Sequence, residues 1–195
     1  LYTAGIMVIM SICMMISGTF WSIIVTEKLK IPAQNIAIFP FAKSIIMLLF
    51  FFVVIPRMRT IHFKIPLMLG FSGFVVSQLV LVMTPVNSYG LLFISVLLEA
   101  CSLATVNPLV DQMTVLTVDP KERARIQSIL YVGIILVTSP FGWIAGILSG
   151  LDHNLPFVLN IALFVVGGIL AFLAGRESNK SLDTSQAIAA FSRET

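Results

Sequence analysis

The chain has 195 residues, of which 58% are hydrophobic and only 11% are charged. Soluble domains use about 45 to 50% apolar and about 25% charged residues, so the composition excludes an ordinary water-soluble fold and predicts an integral membrane protein. The formal charge of +3 does not indicate nucleic-acid binding, because the basic residues lie in short loops and form no basic stripe.

Long uncharged runs, separated by short charged or turn-rich segments, predict six transmembrane helices. A span needs about 20 mostly apolar residues, because backbone polar groups in hydrocarbon must be satisfied within the helix itself. A β-barrel would show short alternating segments instead. We expect one transmembrane domain, residues 1–175, followed by a polar cytoplasmic tail, 176–195. The predicted helices span residues 2–26, 36–55, 65–84, 90–117, 126–149 and 156–174.

The basic residues in the loops predict an orientation. With six crossings both ends lie on one side, and the loops on that side carry nine Lys and Arg against two on the other. The positive-inside rule therefore predicts a protein of the cytoplasmic membrane with both termini in the cytoplasm. Because the chain begins at Leu1 inside an apolar run, we also expect a preceding segment. The nine are Arg57, Arg59, Lys64, Lys121, Arg123, Arg125, Arg176, Lys180 and Arg193, and the two are Lys28 and Lys30.

The sequence is most specific around the junction of the fourth and fifth predicted helices. NPLVDQMTVLTVDPKERARIQSIL is followed by TSPFGWIAGILSG and then by LPFVLNIALFVVGG. A short turn with Pro and Arg, a helix patterned with Pro and Gly, and a last helix that begins with Pro-Phe together resemble the C-terminal six-helix half of a major facilitator superfamily transporter. The basic turn RMRTIHFK stands where that family has a short cytoplasmic loop, but it lacks the Gly-Asp-Arg-Gly-Arg pattern.

The resemblance implies an all-α half-carrier built from two inverted three-helix repeats. It would work with a second six-helix half, either upstream in the same chain or in a second subunit, and the halves would rock about a site near the bilayer midplane. We therefore expect half of a secondary active transporter that moves a small solute by alternating access, with proton coupling and drug or metabolite efflux as open alternatives. The competing hypothesis is a non-transporting six-helix scaffold or regulatory domain. No cofactor is expected, and the partners would be the lipid bilayer, the other half and the solute.

Two charged residues lie deep inside predicted helices, Lys43 in the second and Glu99 in the fourth. Each costs about 2.5 to 3.5 kcal/mol near a helix centre, so a partner or a cavity is expected. Counted from the outer helix ends at 1.5 Å per residue, both lie roughly 10 to 13 Å deep. We hypothesise an ion pair that faces the bundle interior, with Glu99 in proton or cation coupling. The alternatives are a purely structural pair, or Lys43 reaching to the outer surface.

Two helix faces are candidate solute-binding surfaces. On the first helix, Met, Ser and Gly share one face with Trp21 at its edge, which suits an amphipathic or lipophilic solute, although ordinary packing is the alternative. On the fourth helix, offsets of three, four and seven residues place a polar stripe on one side. The candidates are Met7, Ser11, Met15, Gly18 and Ser22 on the first helix, and Ser95, Glu99, Ser102 and Val106 on the fourth.

The cytoplasmic end of the fourth helix carries a candidate latch. Pro108 should kink this helix, because its ring clashes with the carbonyl of Ala104. Beyond the kink, we expect Asp111 to pair with Arg123 or Arg125 and to hold that end closed; a proton role for Asp111 is the alternative.

The remaining motifs point to packing rather than to chemistry. Residues 70–73 match the Gly-x-Ser-Gly of rhomboid-type intramembrane serine proteases, but a serine nucleophile needs a nearby base, and His62 and His153 both fall in predicted loops. We therefore predict no enzyme. Cys13 and Cys101 lie in predicted helices, where neither a disulfide nor a metal site is expected. Small residues should permit close helix packing: Gly70, Gly73 and Ser77 on the third helix, and Gly142, Gly146 and Gly150 on the fifth.

Overall fold

A computed structural model describes residues 2–53, 64–117 and 123–194, and it describes their side chains except at 33, 64, 113–117, 123–124 and 175–194. Within these ranges the chain is almost entirely helical. A π-helical turn, Ile24–Lys28, continues the first helix. The helices are α1 Tyr2–Ile23, α2 Ala33–Ile36, α3 Ile38–Val53, α4 Lys64–Met83, α5 Tyr89–Thr117, α6 Arg123–Leu151 and α7 Leu155–Glu194.

Six helical segments are long and apolar enough to cross a membrane. They agree with the predicted spans to within a few residues, so the prediction of an all-α chain with six bilayer-length helices is confirmed. The segments are Tyr2–Lys28, Gln34–Val53, Ile65–Met83, Tyr89–Gln112, Arg125–Leu151 and Leu155–Ala174.

The element boundaries follow the turn-forming residues. The predicted break after α4 is present, and Asn87 takes a positive φ of 60° there, a conformation that Asn tolerates better than most residues. α5 continues through Pro108 as one helix. α7 runs on to Glu194 instead of ending near Ala174, because residues 176–194 contain neither Pro nor Gly to stop it.

Four helices form an inner bundle and two lie outside it. α4 packs against α5 and α7, and α1 packs against α7. α3 packs on α5, whereas α6 packs on α1 and α7. Only 6% of the α3 span and 11% of the α6 span is buried, against 33% to 56% of the other four spans. The bundle therefore leaves most of the apolar surface of α3 and α6 uncovered.

Aromatic stacking joins α4 to α7 in the core. The rings of Phe74 and Phe164 stack with centroids 4.6 Å apart and an interplanar angle of 1°. Phe71 meets Phe164 edge-on at 6.4 Å. Gly167 admits the Phe71 ring, since a Cβ added at this glycine would lie 2.6 Å from Phe71 Cε1. Close approach of these two helices depends on that missing side chain.

Small residues let α4 and α5 pack closely, as predicted for this part of α4. A methyl group added at Gly70 would overlap Val106 Cγ2, and one added at Gly73 would overlap the hydroxyl of Ser102. These two glycines therefore act in helix packing.

The glycine series on α6 behaves differently from the prediction. An added Cβ at Gly142 would touch only the end of the Met15 side chain, with the nearest atom 3.5 Å away. At Gly146 and Gly150 an added Cβ would meet no atom of the described chain within 4 Å. The expected close approach of another backbone is therefore not made at these two positions within the described residues, because α6 lies at the outside of the bundle.

Candidate functional site

A cavity of about 230 Å³ opens between α1, α3 and α5. It lies within three of the bilayer-length segments. The α1 residues that line it are spaced three and four apart, so they form one helical face. The lining comprises Met14, Ser17, Gly18 and Trp21 from α1, Phe39, Pro40 and Lys43 from α3, and Val96 and Glu99 from α5.

An ion pair forms part of the cavity wall. Lys43 Nζ lies 2.9 Å from Glu99 Oε1, and the lysine side chain is 27% exposed whereas the glutamate side chain is only 7% exposed. The structure thus brings together the two residues that were expected to meet at similar depth. A carboxylate this deeply buried depends on its partner, because an unpaired buried charge is strongly destabilising. A role for Glu99 in proton coupling stays a prediction.

A buried amide fixes a hydroxyl in the same wall. Asn160 of α7 is fully buried, and its Nδ2 donates to the Cys13 carbonyl at 3.3 Å and to Ser17 Oγ at 3.0 Å. Because Ser17 Oγ accepts this bond, its own O–H remains able to donate. Sequence reasoning missed both residues: Ser17 lies outside the polar face assigned to α1, and Asn160 is a single polar residue in an apolar helix.

Two aromatic rings complete the apolar part of the cavity. Trp21 of α1 and Phe39 of α3 meet edge to face, with ring centroids 6.0 Å apart and an interplanar angle of 65°. Phe39 is 3% exposed, so its ring is held firmly against α1. The edge formed by Trp21 and Phe39 is a flat apolar surface next to the charged pair.

The face of α1 that lines the cavity is displaced by one residue from the predicted one. Of the predicted set, only Gly18 and the flanking Trp21 line the cavity. The others lie elsewhere: Met7 and Met15 pack partly buried against the hydrophobic core, Ser11 is half-buried and Ser22 is exposed. Because most positions of α1 are apolar or small, periodicity alone does not fix how the helix is rotated.

The polar stripe on α5 meets the cavity only at Glu99. Ser95 and Ser77 of α4 exchange hydrogen bonds, since each hydroxyl donates to the other's carbonyl, at 3.0 Å from Ser95 and 2.9 Å from Ser77. Ser102 donates to the Leu98 carbonyl of its own helix at 2.8 Å. Ser95 and Ser102 are thus turned toward α4 and do not line this cavity, so their assignment to solute binding stays a prediction.

The candidate latch is not assembled among the described side chains. Asp111 and Arg125 are both exposed, and the structure gives no ion pair between them. The side chain of Arg123 lies outside the described set, as do residues 118–122 of the turn that would carry the contact. The latch stays a prediction.

The remaining candidate nucleophiles of the spans are one serine and two cysteines. Ser72 of the Gly-x-Ser-Gly segment donates to the Leu69 carbonyl at 2.8 Å, and Cys13 and Cys101 are free thiols. Among the described residues, no three His, Cys, Asp or Glu side chains lie close enough to hold one metal ion.

The fold and the site together define a class: an all-α chain with six bilayer-length helices and a cavity with an ion pair in its wall. Comparison of the sequence with protein-family models gives no match, and comparison with curated proteins gives none either. The resemblance to a major facilitator half therefore depends on the quoted segments and on the layout of the helices.

Proposed function

We propose that this chain is one half of a secondary active transporter of the major facilitator type, which moves a small solute across the cytoplasmic membrane by alternating access. The observation that carries the proposal is the cavity between α1, α3 and α5, with the Lys43–Glu99 pair in its wall. Ionisable residues inside a bilayer are costly and mark solute or ion pathways. A volume of about 230 Å³ falls below that of complete small-molecule sites, about 300 to 1,000 Å³, as expected for half a site.

The helix contacts support two inverted three-helix repeats. If α1, α3 and α4 form one repeat and α5, α6 and α7 the other, the packing of α3 on α5 corresponds to that of α6 on α1. The same exchange of the two repeats turns the packing of α4 on α5 into that of α7 on α1. It leaves the contact of α4 with α7 unchanged. Such an exchange is what internal repeats of a carrier predict, but the packing of α6 on α7 has no counterpart of similar extent between α3 and α4 within the described residues.

The outer helices supply a surface for the second half. α3 and α6 leave most of their span uncovered, and α3 also forms one wall of the cavity. A second six-helix unit seated against α3 would enclose the solute between the two halves, while the remaining surface would face lipid. In this arrangement both termini of the chain are cytoplasmic, and Glu99 exchanges the coupling proton.

The competing scaffold hypothesis has less support. A scaffold would bury its polar faces completely, whereas here the wall that holds Lys43 opens on a cavity and 27% of that side chain is exposed. A carrier half needs this opening because the solute has to reach the charged pair.

The proposal is tested by solute-dependent proton movement. Membrane vesicles that contain the gene product with this chain are loaded with the pH-sensitive dye pyranine, and a panel of anionic, cationic and neutral solutes is added. We expect at least one solute to move protons, and we expect Glu99→Gln to reduce that movement at least tenfold. The matched control is Glu27→Gln, which removes an exposed carboxylate from the outer end of the first span. If no solute moves protons or is itself taken up, the transporter proposal fails and the scaffold is favoured.

A further inference from the structure

The charge that the cavity offers to a ligand is positive. The Lys43 side chain is 27% exposed and that of Glu99 only 7%, so an incoming molecule meets the lysine side chain before the carboxylate. A cation would have to displace Lys43 from Glu99 and leave the ammonium group in an apolar helix bundle. An anion can instead add to the exposed side of Lys43 without moving it.

The cavity wall also carries hydrogen-bond donors that a ligand can use. An ammonium group has three N–H donors, and Glu99 is the single partner that the described residues give to Lys43. Ser17 accepts from Asn160, which leaves its O–H free to donate. A ligand with two acceptor oxygens, such as a carboxylate, can use both side chains.

Charge balance then links the anion to a proton. The Lys43–Glu99 pair is neutral, so an added anion gives the site a net negative charge, which is costly in a medium of low dielectric constant. One proton taken from solution onto Glu99 restores neutrality and leaves Lys43 to pair with the ligand. When the ligand leaves, Glu99 gives up the proton and pairs with Lys43 again.

Among the described residues, Lys43 and Glu99 are the charged side chains that line this cavity, and Glu27, Lys28 and Asp111 of the same spans do not line it. Of the helices packed against α5, α3 contributes Lys43. Residues 2–25 of the α1 span and 65–83 of α4 contain no charged side chain. Their titratable groups, Tyr2 and Cys13, do not line the cavity, and neither does Cys101 on α5.

We propose that the cavity binds an organic anion, a carboxylate on a small apolar or aromatic body, together with one proton on Glu99. Lys43 and Ser17 hold the carboxylate, and the edge formed by Trp21 and Phe39 contacts the body. This inference rests on the proposed function, because it names the solute class and the coupling step of the same site.

Binding can be measured without transport, because Trp21 reports on the cavity. The chain has two tryptophans, and the other, Trp143, is 73% exposed on α6. Trp143→Phe therefore leaves Trp21 as the single reporter within this chain, and any tryptophan of the gene product outside it is also replaced by Phe. The probes are 4-nitrobenzoate, 4-nitrobenzylammonium and 4-nitrobenzyl alcohol, which have similar shapes and quench tryptophan fluorescence. Titrations are done on the purified full gene product in lipid nanodiscs between pH 5 and pH 8.

We expect saturable quenching by 4-nitrobenzoate, with an affinity at least tenfold higher than that of the alcohol or the ammonium compound and increasing as the pH falls. Glu99→Gln imitates the protonated carboxyl, so this variant should bind 4-nitrobenzoate at least tenfold more tightly than the parent at pH 8, with little pH dependence. Ser17→Ala should weaken 4-nitrobenzoate about tenfold, as expected for a hydrogen bond to a charged group, and should leave the alcohol unchanged.

Lys43→Gln alone would leave a buried Glu99 carboxylate unpaired and would destabilise the fold. The double variant Lys43→Gln with Glu99→Gln has no charge to bury and keeps the proposal testable; it should bind the three probes equally. Tighter binding of the ammonium compound, an anion preference that survives in the double variant, or quenching by none of the three probes would each overturn the inference.

The outcomes also separate this inference from the proposed function. If 4-nitrobenzoate binds as expected but no solute moves protons in the vesicles, the ligand class stands and the transport proposal fails. If only cations move protons, the transport proposal stands and the inference of an anion site falls.

Discussion

Replacement of Lys43 by Met should destabilise the protein far more than replacement of both members of the ion pair. Lys43→Met leaves a carboxylate that is 7% exposed without a partner. Breaking a buried pair costs about 3 to 5 kcal/mol, and because Lys43 itself is partly exposed we expect the lower end, about 3 kcal/mol. Glu99→Gln should cost about 1 kcal/mol, the size of one hydrogen bond, since the glutamine amide oxygen can still accept from Lys43.

The double variant Lys43→Met with Glu99→Gln completes the thermodynamic cycle. With both charges gone, no ion needs to be buried, and replacement of a buried pair by neutral groups of similar volume is often close to neutral. If the double variant costs about 1 kcal/mol or less, the coupling free energy between the two sites should be at least about 3 kcal/mol, at the upper end for contacting residues.

The assay is thermal unfolding in detergent, followed by loss of the monodisperse peak in fluorescence-detected gel filtration. For a chain of this size, 1 kcal/mol corresponds to about 2 to 4 °C in Tm, so Lys43→Met should lower Tm by about 6 to 12 °C. Leu48→Met, at a position that is 58% exposed on the same helix, is the matched control and should shift Tm by less than about 2 °C, since surface substitutions rarely exceed about 0.5 kcal/mol. Equal stability of Lys43→Met and the parent, or a double variant as unstable as Lys43→Met, would refute the reasoning.

Three further outcomes are expected. Gly73→Ala should cost about 1 to 3 kcal/mol by overpacking against α5, whereas Gly146→Ala, which meets no atom of the described chain, should not lower Tm. Asn160→Ala should cost about 1 to 3 kcal/mol, because the buried Cys13 carbonyl and Ser17 hydroxyl lose their donor; a Tm equal to that of the parent would contradict the described hydrogen bonds. In a background without native cysteines, a membrane-impermeant thiol reagent should label Asn87→Cys from outside intact cells and Gln127→Cys only after permeabilisation; the reverse pattern would refute the proposed orientation.

The long apolar runs made the six helices predictable, because hydrocarbon allows backbone polar groups no partner outside their own helix. The ion pair was predictable for a related reason: Lys43 and Glu99 are each too costly to leave alone in a membrane. Ser17 and Asn160 were not, because an uncharged polar residue can be satisfied within its own helix, as Ser102 is by the Leu98 carbonyl. Whether such a residue bonds to its own helix or to another helix is decided here by the rotation of α1 and its packing on α7.

The location of the ion pair has a consequence for how α3 is held. Among the described residues of α3, Phe39 is the single buried one, and it packs against Trp21 at the edge of the cavity. Lys43 is the charged link from this outer helix to the inner helix α5. Two of the specific contacts that fix α3 therefore lie in the wall of the cavity. A substitution that separates Lys43 from Glu99 therefore acts on the span with the least burial of the six, and it should loosen α3 from the bundle before the inner helices separate.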